Sequence, residues 1–311
     1  MDKIQVFILT YNRPDKVLTA IYSVLNQSYK NIELIVSDNS SNEKTHKILS
    51  ELNYDRVKYI RRKIVLNPIE HLNVILSEVT SNYFMMFHDD DEMHENMIEK
   101  LFSNIEPFDD IVAVGSNAYL KIDAEITKQK MFKASCQKMV LANYFEVSNQ
   151  YLKRNGIVPF PSYLYRKIVS KKIQFNINEG GQNCDMTFIM KLTDLGKIKL
   201  LEEPLMNYFI NSNNDHVLFL HKNMQQVLNF LLSQPESTNY SEIIKKMNLQ
   251  ITYLEIKQDI LMGKIRYISN GYFYKFCKLL VWSPFNFFPR FLGLVFMRIL
   301  NISTEKLKFD R

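Results

Sequence analysis

The sequence predicts an α/β fold in which a mostly parallel sheet is flanked by helices. Short apolar runs of strand length alternate with segments in which apolar residues recur at helical spacing. Such alternation favours parallel strands joined by right-handed crossovers. In addition, polar residues directly follow three of the apolar runs, as is typical of strands that end at a ligand-binding edge.

The predicted elements of the N-terminal half follow one another without long gaps. The first strand, over residues 4–9, leads into Pro14, which suits the first turn of a helix. Val17, Ile21 and Val24 then recur at helical spacing. The following elements are a strand over 32–36, a helix over 43–52, a strand over 57–61, a helix over 69–79 and a strand that begins at 83.

That last strand, over residues 83–88, stops at three consecutive aspartates. Asp89, Asp90 and Asp91, called here the aspartate cluster, repel one another and therefore favour a cation between them. Because Mg²⁺ often shares one or two carboxylates with substrate phosphates, the cluster indicates a metal–diphosphate site. The segment alone is equally compatible with a solvated acidic turn that caps the next helix.

Two other predicted strands also end in polar residues. Thr10 follows the first strand and Asp38 follows the second. Because the carboxyl ends of parallel strands meet at one edge of a sheet, Thr10, Asp38 and the aspartate cluster are expected along that edge. A carboxylate there can accept hydrogen bonds from a ligand. The alternative for Asp38 is a turn-forming residue.

Together these segments resemble family 2 glycosyltransferases, which have the Rossmann-like GT-A fold. The resemblance covers roughly residues 1–210 and lies in Val-Phe-Ile-Leu-Thr-Tyr-Asn-Arg-Pro from residue 6, Gln-Ser-Tyr from 27, Ile-Glu-Leu-Ile-Val-Ser-Asp from 32 and Phe-His-Asp-Asp-Asp from 87. It implies that the nucleotide of a sugar donor is bound by Thr10, Tyr11, Asn12, Arg13, Asp38, Asn67, Asp89 and Asp90. It also implies that Asp91 and Asp89 bind a divalent cation, Mn²⁺ or Mg²⁺.

A second carboxylate site is expected at Asp185. Residues 179–196 predict a flexible loop at Gly180–Gly181 and then a helix that ends at Gly196. The resemblance implies that Asp185, at the start of this helix, is the catalytic general base, although Cys184 replaces the usual Glu. An acceptor hydroxyl must lose its proton as it attacks, and a positioned carboxylate can take that proton. The alternative for Asp185 is a helix N-cap.

The chain departs from the family pattern at several positions. Leu72 stands where many relatives carry Arg or Lys, and Phe209 and Asn211 replace the basic and His residues that usually follow the Pro-Leu-x-Tyr segment. The binding of the donor phosphates is therefore left under-explained. His216 is a candidate metal or phosphate ligand, with a solvated loop histidine as the alternative. His88 either touches the donor or is an ordinary packed or solvent-facing residue.

Composition restricts the class of protein. Gly is scarce, at 8 of 311 residues, and neither a Walker motif nor a Gly-x-Gly-x-x-Gly pattern occurs, which excludes a glycine-rich phosphate loop. The cysteines at 136, 184 and 277 show no pairing pattern or metal spacing, as suits a reducing cytosol. A strand begins within the first few residues, so no signal peptide is expected.

Charge and aromatic residues are concentrated near the C-terminus. We expect a GT-A catalytic domain over residues 1–216, a helical connector over 217–263 and a basic, aromatic segment over 264–311. That segment holds nine Lys/Arg and two Asp/Glu, a net charge of +7, and its most apolar stretch contains two Arg and two Pro. These residues disfavour a spanning helix and favour binding to an anionic membrane surface. The alternative is packing against the catalytic domain or a second subunit, and no nucleic-acid partner is expected because no binding motif accompanies the charge.

These features predict a metal-dependent, inverting glycosyltransferase of bacterial surface-polysaccharide synthesis. It would move a sugar from a nucleotide-sugar, expected to be a UDP-sugar, to a glycan or lipid-linked oligosaccharide. Segment 145–178, with Phe160, Pro161 and Tyr163, is expected to contact the acceptor. The expected location is cytoplasmic, peripheral on the inner face of the plasma membrane. The alternatives are a catalytically inactive glycan- or membrane-binding scaffold and a sugar nucleotidyltransferase, whose Gly-rich loop and signature Lys are absent.

Removal of residues 264–311 should abolish binding to anionic vesicles. The full-length protein should co-sediment with such vesicles, less at high salt because salt screens its Lys and Arg, and a residual apolar component should persist. Co-sedimentation of both forms at low and high salt measures this. Equal sedimentation of the two forms would locate the membrane contact elsewhere, and a full-length protein that ignores vesicles would favour the packing alternative.

Overall fold

The computed structural model describes residues 2–51, 56–122, 125–133, 138–153, 156–210, 220–235 and 240–261. The strands are β1 (Ile4–Thr10), β2 (Ile32–Asp38), β3 (Val57–Arg61), β4 (Tyr83–His88), β5 (Glu92–Met93), β6 (Ile111–Ile122), β7 (Glu125–Lys130), β8 (Lys138–Leu141), β9 (Leu164–Arg166) and β10 (Lys197–Ile210). The helices are α1 (Pro14–Leu25), α2 (Lys44–Glu51), α3 (Pro68–Glu78), α4 (Met97–Ile105), α5 (Tyr144–Leu152), α6 (Lys167–Lys172), α7 (Ile177–Gly180), α8 (Cys184–Leu192), α9 (Leu220–Leu232) and α10 (Ser241–Leu261). His216 and the predicted basic segment 264–311 lie outside the described residues.

The strands form one mixed sheet, in the order β3-β2-β1-β4-β9-β6-β10-β5, with β7 beside β6 and β8 beside β10. The first four strands are parallel, as predicted, and so are β6 and β10. The α/β prediction is confirmed, but the C-terminal half of the sheet also contains antiparallel pairs that the sequence analysis missed. The strand β9, which pairs antiparallel with both β4 and β6, has only three residues and therefore no visible period in the sequence.

The parallel part of the sheet is buried on both faces. Val6 and Ile8 of β1 are fully buried on one face, where Ile21 of α1 packs, and Phe7 of β1 and its neighbour Met86 of β4 are buried on the other face. Strands with two buried faces carry near-continuous apolar runs. This burial explains why the runs at 4–9 and 83–87 predicted these strands so directly.

The strand β10 is the longest of the described strands. It covers 14 residues and stays paired with β6 across register shifts on both sides of Pro204. A proline cannot donate to the ladder, so it is accommodated at such an irregularity. The extension beyond Pro204 brings Phe209 to the same edge as the aspartate cluster.

Close packing at one glycine shapes the interior behind β6. A Cβ on Gly115 would lie 2.7 Å from both the Tyr163 ring and Val158. Since a methyl group does not fit there, only glycine allows the Tyr163 ring to lie against the strand.

The chain divides into two compact units. One consists of Met1–Asn176 together with Asp185–Ile210 and contains the whole sheet. The other consists of Ile177–Cys184 together with the chain from Asn211 onward and includes α9 and α10. Among the described residues, no helix combines the length and the apolar character needed to cross a bilayer.

The predicted flexible loop at Gly180–Gly181 is wrong. The helix α7 and a 3₁₀ turn over Gly181–Asn183 occupy this stretch. Gly181 has φ of +60°, and a Cβ there would lie 2.4 Å from Oδ1 of Asn223. A positive φ and this close approach are conformational demands that glycine meets, so its presence reflects a tight turn and not flexibility.

Candidate active site

The carboxyl ends of β1, β2 and β4 lie side by side, as the sequence predicted. Thr10 is directly opposite Asp38, and Leu9 is opposite His88, the residue before the aspartate cluster. Thr10, Asp38, Asp89 and Asp91 are all buried. This edge therefore concentrates polar side chains away from bulk water, where hydrogen bonds and charge interactions are stronger.

The loop after β1 is tied to the loop after β2 through Asn12. Its side chain exchanges hydrogen bonds with Ser41 and accepts one from Asn42, and its N–H donates to the Ser40 hydroxyl. Asn12 has φ of +54°, a conformation that asparagine tolerates better than most residues. This arrangement leaves the neighbouring Tyr11 side chain half exposed at the same edge, open to a ligand.

Asp38 is fully buried and already holds two donors. One oxygen accepts a hydrogen bond from the Ser40 N–H at 2.9 Å, and the other accepts one from the Tyr59 hydroxyl at 2.7 Å. Burial, together with the hydrogen bond to Asp38, raises the pKa of Tyr59, so this hydroxyl stays a donor. A carboxylate has further lone pairs that can accept from a nucleotide, and its orientation here is fixed.

A buried polar network lies beside Asp38. The Ser37 hydroxyl is 2.6 Å from Nε2 of His71 and accepts a hydrogen bond from Arg62, which also forms a bidentate ion pair with Glu78. Burial lowers the pKa of His71 to about 4, so the imidazole is neutral at physiological pH. The network is a structural support for the end of β2.

Asn67, a predicted nucleotide-binding residue, is the N-cap of α3. Its side chain accepts hydrogen bonds from the N–H groups of Ile69 and Glu70, and the Glu70 carboxylate accepts one from the Asn67 N–H. This reciprocal capping box accounts for the asparagine locally. A nucleotide contact by Asn67 stays a prediction.

The first turn of α1 supplies cations to the aspartate cluster. Arg13 Nη1 lies 3.1 Å from Oδ1 of Asp89 and 2.8 Å from Oδ2 of Asp90. Lys16 Nζ is 3.8 Å from the same Asp90 oxygen and 3.6 Å from the centre of the Phe209 ring. Sequence analysis missed Lys16, although it follows Arg13 by three residues and so lies on the same face of the helix.

Asp91 is held by the long strand β10. Its Oδ1 accepts a hydrogen bond from the Phe209 N–H at 2.9 Å, and its Oδ2 lies 3.6 Å from Nδ1 of His88. Phe209, which replaces a usual basic residue, therefore contributes its backbone to the site. The Oδ2 atoms of Asp91 and Asp89 are buried and have no hydrogen-bond partner among the described residues.

Burial disfavours the ionised form of the carboxylates in the aspartate cluster. The pKa of Asp91 is raised well above its usual value, first by burial and then by the charge of Asp90. Burial also raises the pKa of Asp89, against the opposing effect of Arg13. Ligand atoms of His88, Asp90 and Asp91 lie within 4.8 Å of one another. Unpartnered buried carboxylate oxygens next to further oxygen and nitrogen donors fit a divalent cation.

Asp185 lies in the first turn of α8, one residue inside the helix. The Met186 N–H is a hydrogen-bond donor to its carboxylate, and the N-terminal end of a helix favours negative charge. Burial nevertheless raises the pKa of Asp185 to about 6. A carboxylate with this pKa is ionised at neutral pH and more basic than a surface aspartate, which suits a general base.

Three tyrosine hydroxyls lie close enough to Asp185 to be affected by its charge. Its charge contributes, after burial, to the raised pKa values of Tyr151, Tyr163 and Tyr165. The hydroxyls of Tyr163 and Tyr165 are buried and lack hydrogen-bond partners among the described residues. Tyr163, which was predicted to contact the acceptor, is almost fully buried. The hydroxyl is the one polar group of this side chain.

The rings of Tyr163 and Tyr165 belong to a larger group, called here the aromatic wall. It consists of Phe160, Tyr163, Tyr165, Phe175 and Phe188. Phe188 lies one turn after Asp185 on α8 and stacks on Phe175 at 4.0 Å between ring centres. Phe160 lies 6.1 Å from the His88 ring and 6.3 Å from the Phe188 ring. The wall therefore extends from the residue before the aspartate cluster to the helix of Asp185.

A family comparison agrees with this geometry. The model of the family described as "Glycosyl transferase family 2" matches residues 5–173, more than half of the chain. The chain belongs to glycosyl transferase family 2. The predicted enzyme class, a glycosyltransferase, is thereby confirmed.

Relatives in this family come from several bacteria. An uncharacterized glycosyltransferase of Haemophilus influenzae is 25% identical over 70% of this chain and 69% of its own length. A Campylobacter jejuni "GalNAc(5)-diNAcBac-PP-undecaprenol beta-1,3-glucosyltransferase" is 28% identical over 50% of this chain and 54% of its own. The Escherichia coli "UDP-Glc:alpha-D-GlcNAc-diphosphoundecaprenol beta-1,3-glucosyltransferase WfaP" is 27% identical over 41% of this chain and 50% of its own.

Solved structures support the GT-A fold. The crystal structure of Staphylococcus aureus TarS 1-349 in complex with UDP has a TM-score of 0.60 and 15% identity, and the match covers 84% of this chain and 75% of that one. The same protein in complex with UDP-GlcNAc has a TM-score of 0.60 and 14% identity, over 89% and 79% of the two chains.

Asp185→Asn should stabilise the protein above pH 6. The folded state holds a proton on Asp185 up to about pH 6, whereas the unfolded chain releases it near pH 4, so wild type loses stability as pH rises through this window. At about 1.4 kcal/mol per pKa unit, the variant should gain up to about 3 kcal/mol at pH 7 and nothing at pH 4. Urea unfolding at both pH values measures this.

The exposed Asp109 offers a matched control for that experiment. Asp109→Asn should leave stability unchanged at both pH values. A stability difference between wild type and Asp185→Asn that is the same at pH 4 and pH 7 would contradict the burial argument.

Proposed function

We propose that this enzyme transfers a sugar from a nucleotide-sugar, specifically a UDP-sugar, to a glycan acceptor with inversion, and that it requires Mn²⁺ or Mg²⁺. The observation that carries the proposal is the buried aspartate cluster with its unpartnered oxygens at the carboxyl edge of the parallel strands. A UDP-Glc donor in the name of one relative and UDP and UDP-GlcNAc in the TarS complexes support the class of donor.

Different residues at this edge of the sheet bind different parts of the sugar donor. Asp38 accepts hydrogen bonds from the base or ribose, Tyr11 lies against the nucleotide, and Asn12 holds their two loops together. Arg13 and Lys16 turn from Asp90 toward the diphosphate. The aspartate cluster would hold a divalent cation, and such an ion would supply positive charge against the leaving nucleotide diphosphate. Thr10, Asp89 and Asp90 complete the nucleotide site.

Asp185 is the general base. As the acceptor oxygen attacks the anomeric carbon, the carboxylate takes the hydroxyl proton, and the bond to the diphosphate breaks on the opposite face of the sugar. A single displacement inverts the configuration and requires no covalent intermediate. The aromatic wall excludes water from this side, which favours transfer to the acceptor over hydrolysis of the donor.

We also propose a lipid-linked acceptor and a peripheral membrane location. Two relatives carry diphosphoundecaprenol or PP-undecaprenol acceptors in their names, which supports an acceptor anchored in a bilayer. In this proposal residues 1–216 form the catalytic domain, 217–263 connect, and the basic segment 264–311 binds the inner face of the plasma membrane.

Asp185→Asn should separate chemistry from binding. The substitution keeps the volume and most of the hydrogen-bond capacity but removes the basic group, so kcat should fall by about 10²–10⁴-fold. Affinity for the UDP-sugar should stay near that of wild type. In wild type, kcat/KM should fall as pH drops below about 6, where Asp185 becomes protonated. Steady-state kinetics and titration calorimetry measure both quantities, with Asp109→Asn as the control, and a near-normal kcat in Asp185→Asn would reduce this residue to a structural role.

Transfer should stop in excess EDTA and return with Mn²⁺ or Mg²⁺. Asp91→Ala should lose the part of UDP affinity that depends on metal, because Asp91 presents a buried oxygen that has no hydrogen-bond partner among the described residues. The exposed Asp110, paired with Lys197, gives the control Asp110→Ala, which should bind UDP as wild type does. Full turnover in excess EDTA would contradict metal dependence.

A further inference from the structure

We propose that His88 is a direct ligand of the cation at the aspartate cluster, together with Asp91 and Asp90, and that this nitrogen ligand makes the enzyme prefer transition-metal ions over Mg²⁺. The inference rests on the proposed metal-dependent function and deepens it. It assigns a role to a residue for which the sequence left donor contact and simple packing open. It also differs from the ligand pair Asp91 and Asp89 that the family resemblance implied.

The first argument is geometric. Nδ1 of His88 lies 3.6 Å from Oδ2 of Asp91, and the ligand atoms of His88, Asp90 and Asp91 are all within 4.8 Å of one another. Ligands at about 2.1 Å from an octahedral ion lie about 3 Å apart when adjacent and about 4.2 Å apart when opposite. The 3.6 Å separation exceeds the adjacent distance by about 0.6 Å, and the 4.8 Å limit exceeds the opposite distance by about 0.6 Å, so small side-chain shifts would enclose an ion.

The second argument is the state of Asp91. Its Oδ1 is fixed by the Phe209 N–H, which turns Oδ2 toward His88. At 3.6 Å, the contact between His88 and Asp91 is too long for a hydrogen bond. Oδ2 is therefore a carboxylate oxygen that is buried and unpartnered among the described residues. Leaving such an atom without a partner costs free energy that a bound cation would offset.

The third argument concerns Asp89. Arg13 bonds to Asp89 and Asp90, and Lys16 approaches Asp90. Both cations therefore lie on one side of the cluster, and Asp91 with His88 forms the other side. Arg13 is half exposed and can leave Asp90 for the diphosphate without disturbing the core. The cation site is then formed by His88, Asp90 and Asp91, and Asp89 keeps Arg13.

The position of His88 suits such a role. It is the last residue of β4, so its backbone is fixed by pairing with Leu9 of β1. Its ring lies near the Phe160 ring, at 6.1 Å between centres, while 38% of the side chain stays exposed toward the edge. A rigid backbone and a ring supported on one side hold a ligand nitrogen at a defined place.

A nitrogen ligand has a chemical consequence. Mg²⁺ prefers oxygen ligands only, whereas imidazole suits first-row transition metals, and affinity rises from Mn²⁺ to Co²⁺. His88 should therefore contribute much to the binding of Co²⁺, less to that of Mn²⁺ and little to that of Mg²⁺. An aspartate at the same place would present oxygen and reverse this preference.

The test measures metal binding directly on the full-length protein, with UDP present. Dissociation constants for Co²⁺, Mn²⁺ and Mg²⁺ are determined by calorimetry. Electron paramagnetic resonance of Mn²⁺ then measures how readily Co²⁺ and Mg²⁺ displace it. His88→Phe keeps a ring against Phe160 but removes the nitrogen. It should weaken Co²⁺ binding at least about tenfold and Mg²⁺ binding less than about threefold. His88→Asp should restore binding with the preference shifted toward Mg²⁺.

His94→Phe is the matched control. His94 hydrogen-bonds the Asn207 side chain at 3.1 Å and is not part of the cluster, so its replacement should leave all three affinities unchanged. Thermal unfolding without metal checks that each variant is folded. The visible spectrum of bound Co²⁺ should change in His88→Phe and not in His94→Phe, since it responds to nitrogen ligation.

The outcomes separate this inference from the proposed function. Wild-type affinities in His88→Phe, with binding lost in Asp91→Ala, would overturn the role of His88 and leave the metal site in place. An equal loss for all three ions in His88→Phe would show a structural effect and would also overturn the inference. No metal binding to wild type would overturn both proposals.

Discussion

The demand for positive charge at the aspartate cluster is the constraint on which the rest of the site depends. Three consecutive carboxylates at one strand end, two of them buried, cannot all ionise without cations close by. Arg13 and Lys16 supply positive charge at Asp89 and Asp90. Asp91 retains an unpartnered oxygen, so the protein by itself leaves one part of the demand open. That open part is what a bound cation would fill.

The same constraint explains how the chain compensates for its departures from the family pattern. Leu72, Phe209 and Asn211 remove basic residues that relatives usually place near the donor phosphates. Arg13 and Lys16, on the first turn of α1, bring two cations to the edge from another direction. Phe209 meanwhile holds Asp91 through its backbone N–H and supports Lys16 with its ring. In the proposed function, the charge that binds the donor phosphates therefore comes from Arg13 and Lys16 and not from the end of β10.

Asp185, the proposed general base, follows the opposite principle, since no cation among the described residues balances its charge. The helix end and the Met186 N–H stabilise its charge in part, but burial among aromatic rings dominates and raises its pKa. A part-buried carboxylate with a raised pKa lowers the stability of the folded state at neutral pH. Phe160 and Phe188 connect this apolar side of the site to the cation side at His88, so two environments of opposite character meet along one wall.

The sequence by itself determined the parallel α/β half, because residues buried on both faces of a strand must be apolar and polar residues must mark the strand ends. The local sequence was sufficient to predict the helix that begins at Pro14, the strand that ends at the aspartate cluster and the position of Asp185 at the start of a helix. It did not reveal the pairing of β9 or the continuation of β10 past Pro204, which depend on partners far along the chain. Only the tertiary structure decided that Tyr59 meets Asp38 and that the Phe209 N–H meets Asp91, since hydrogen bonds between distant segments leave no periodic signal in the sequence.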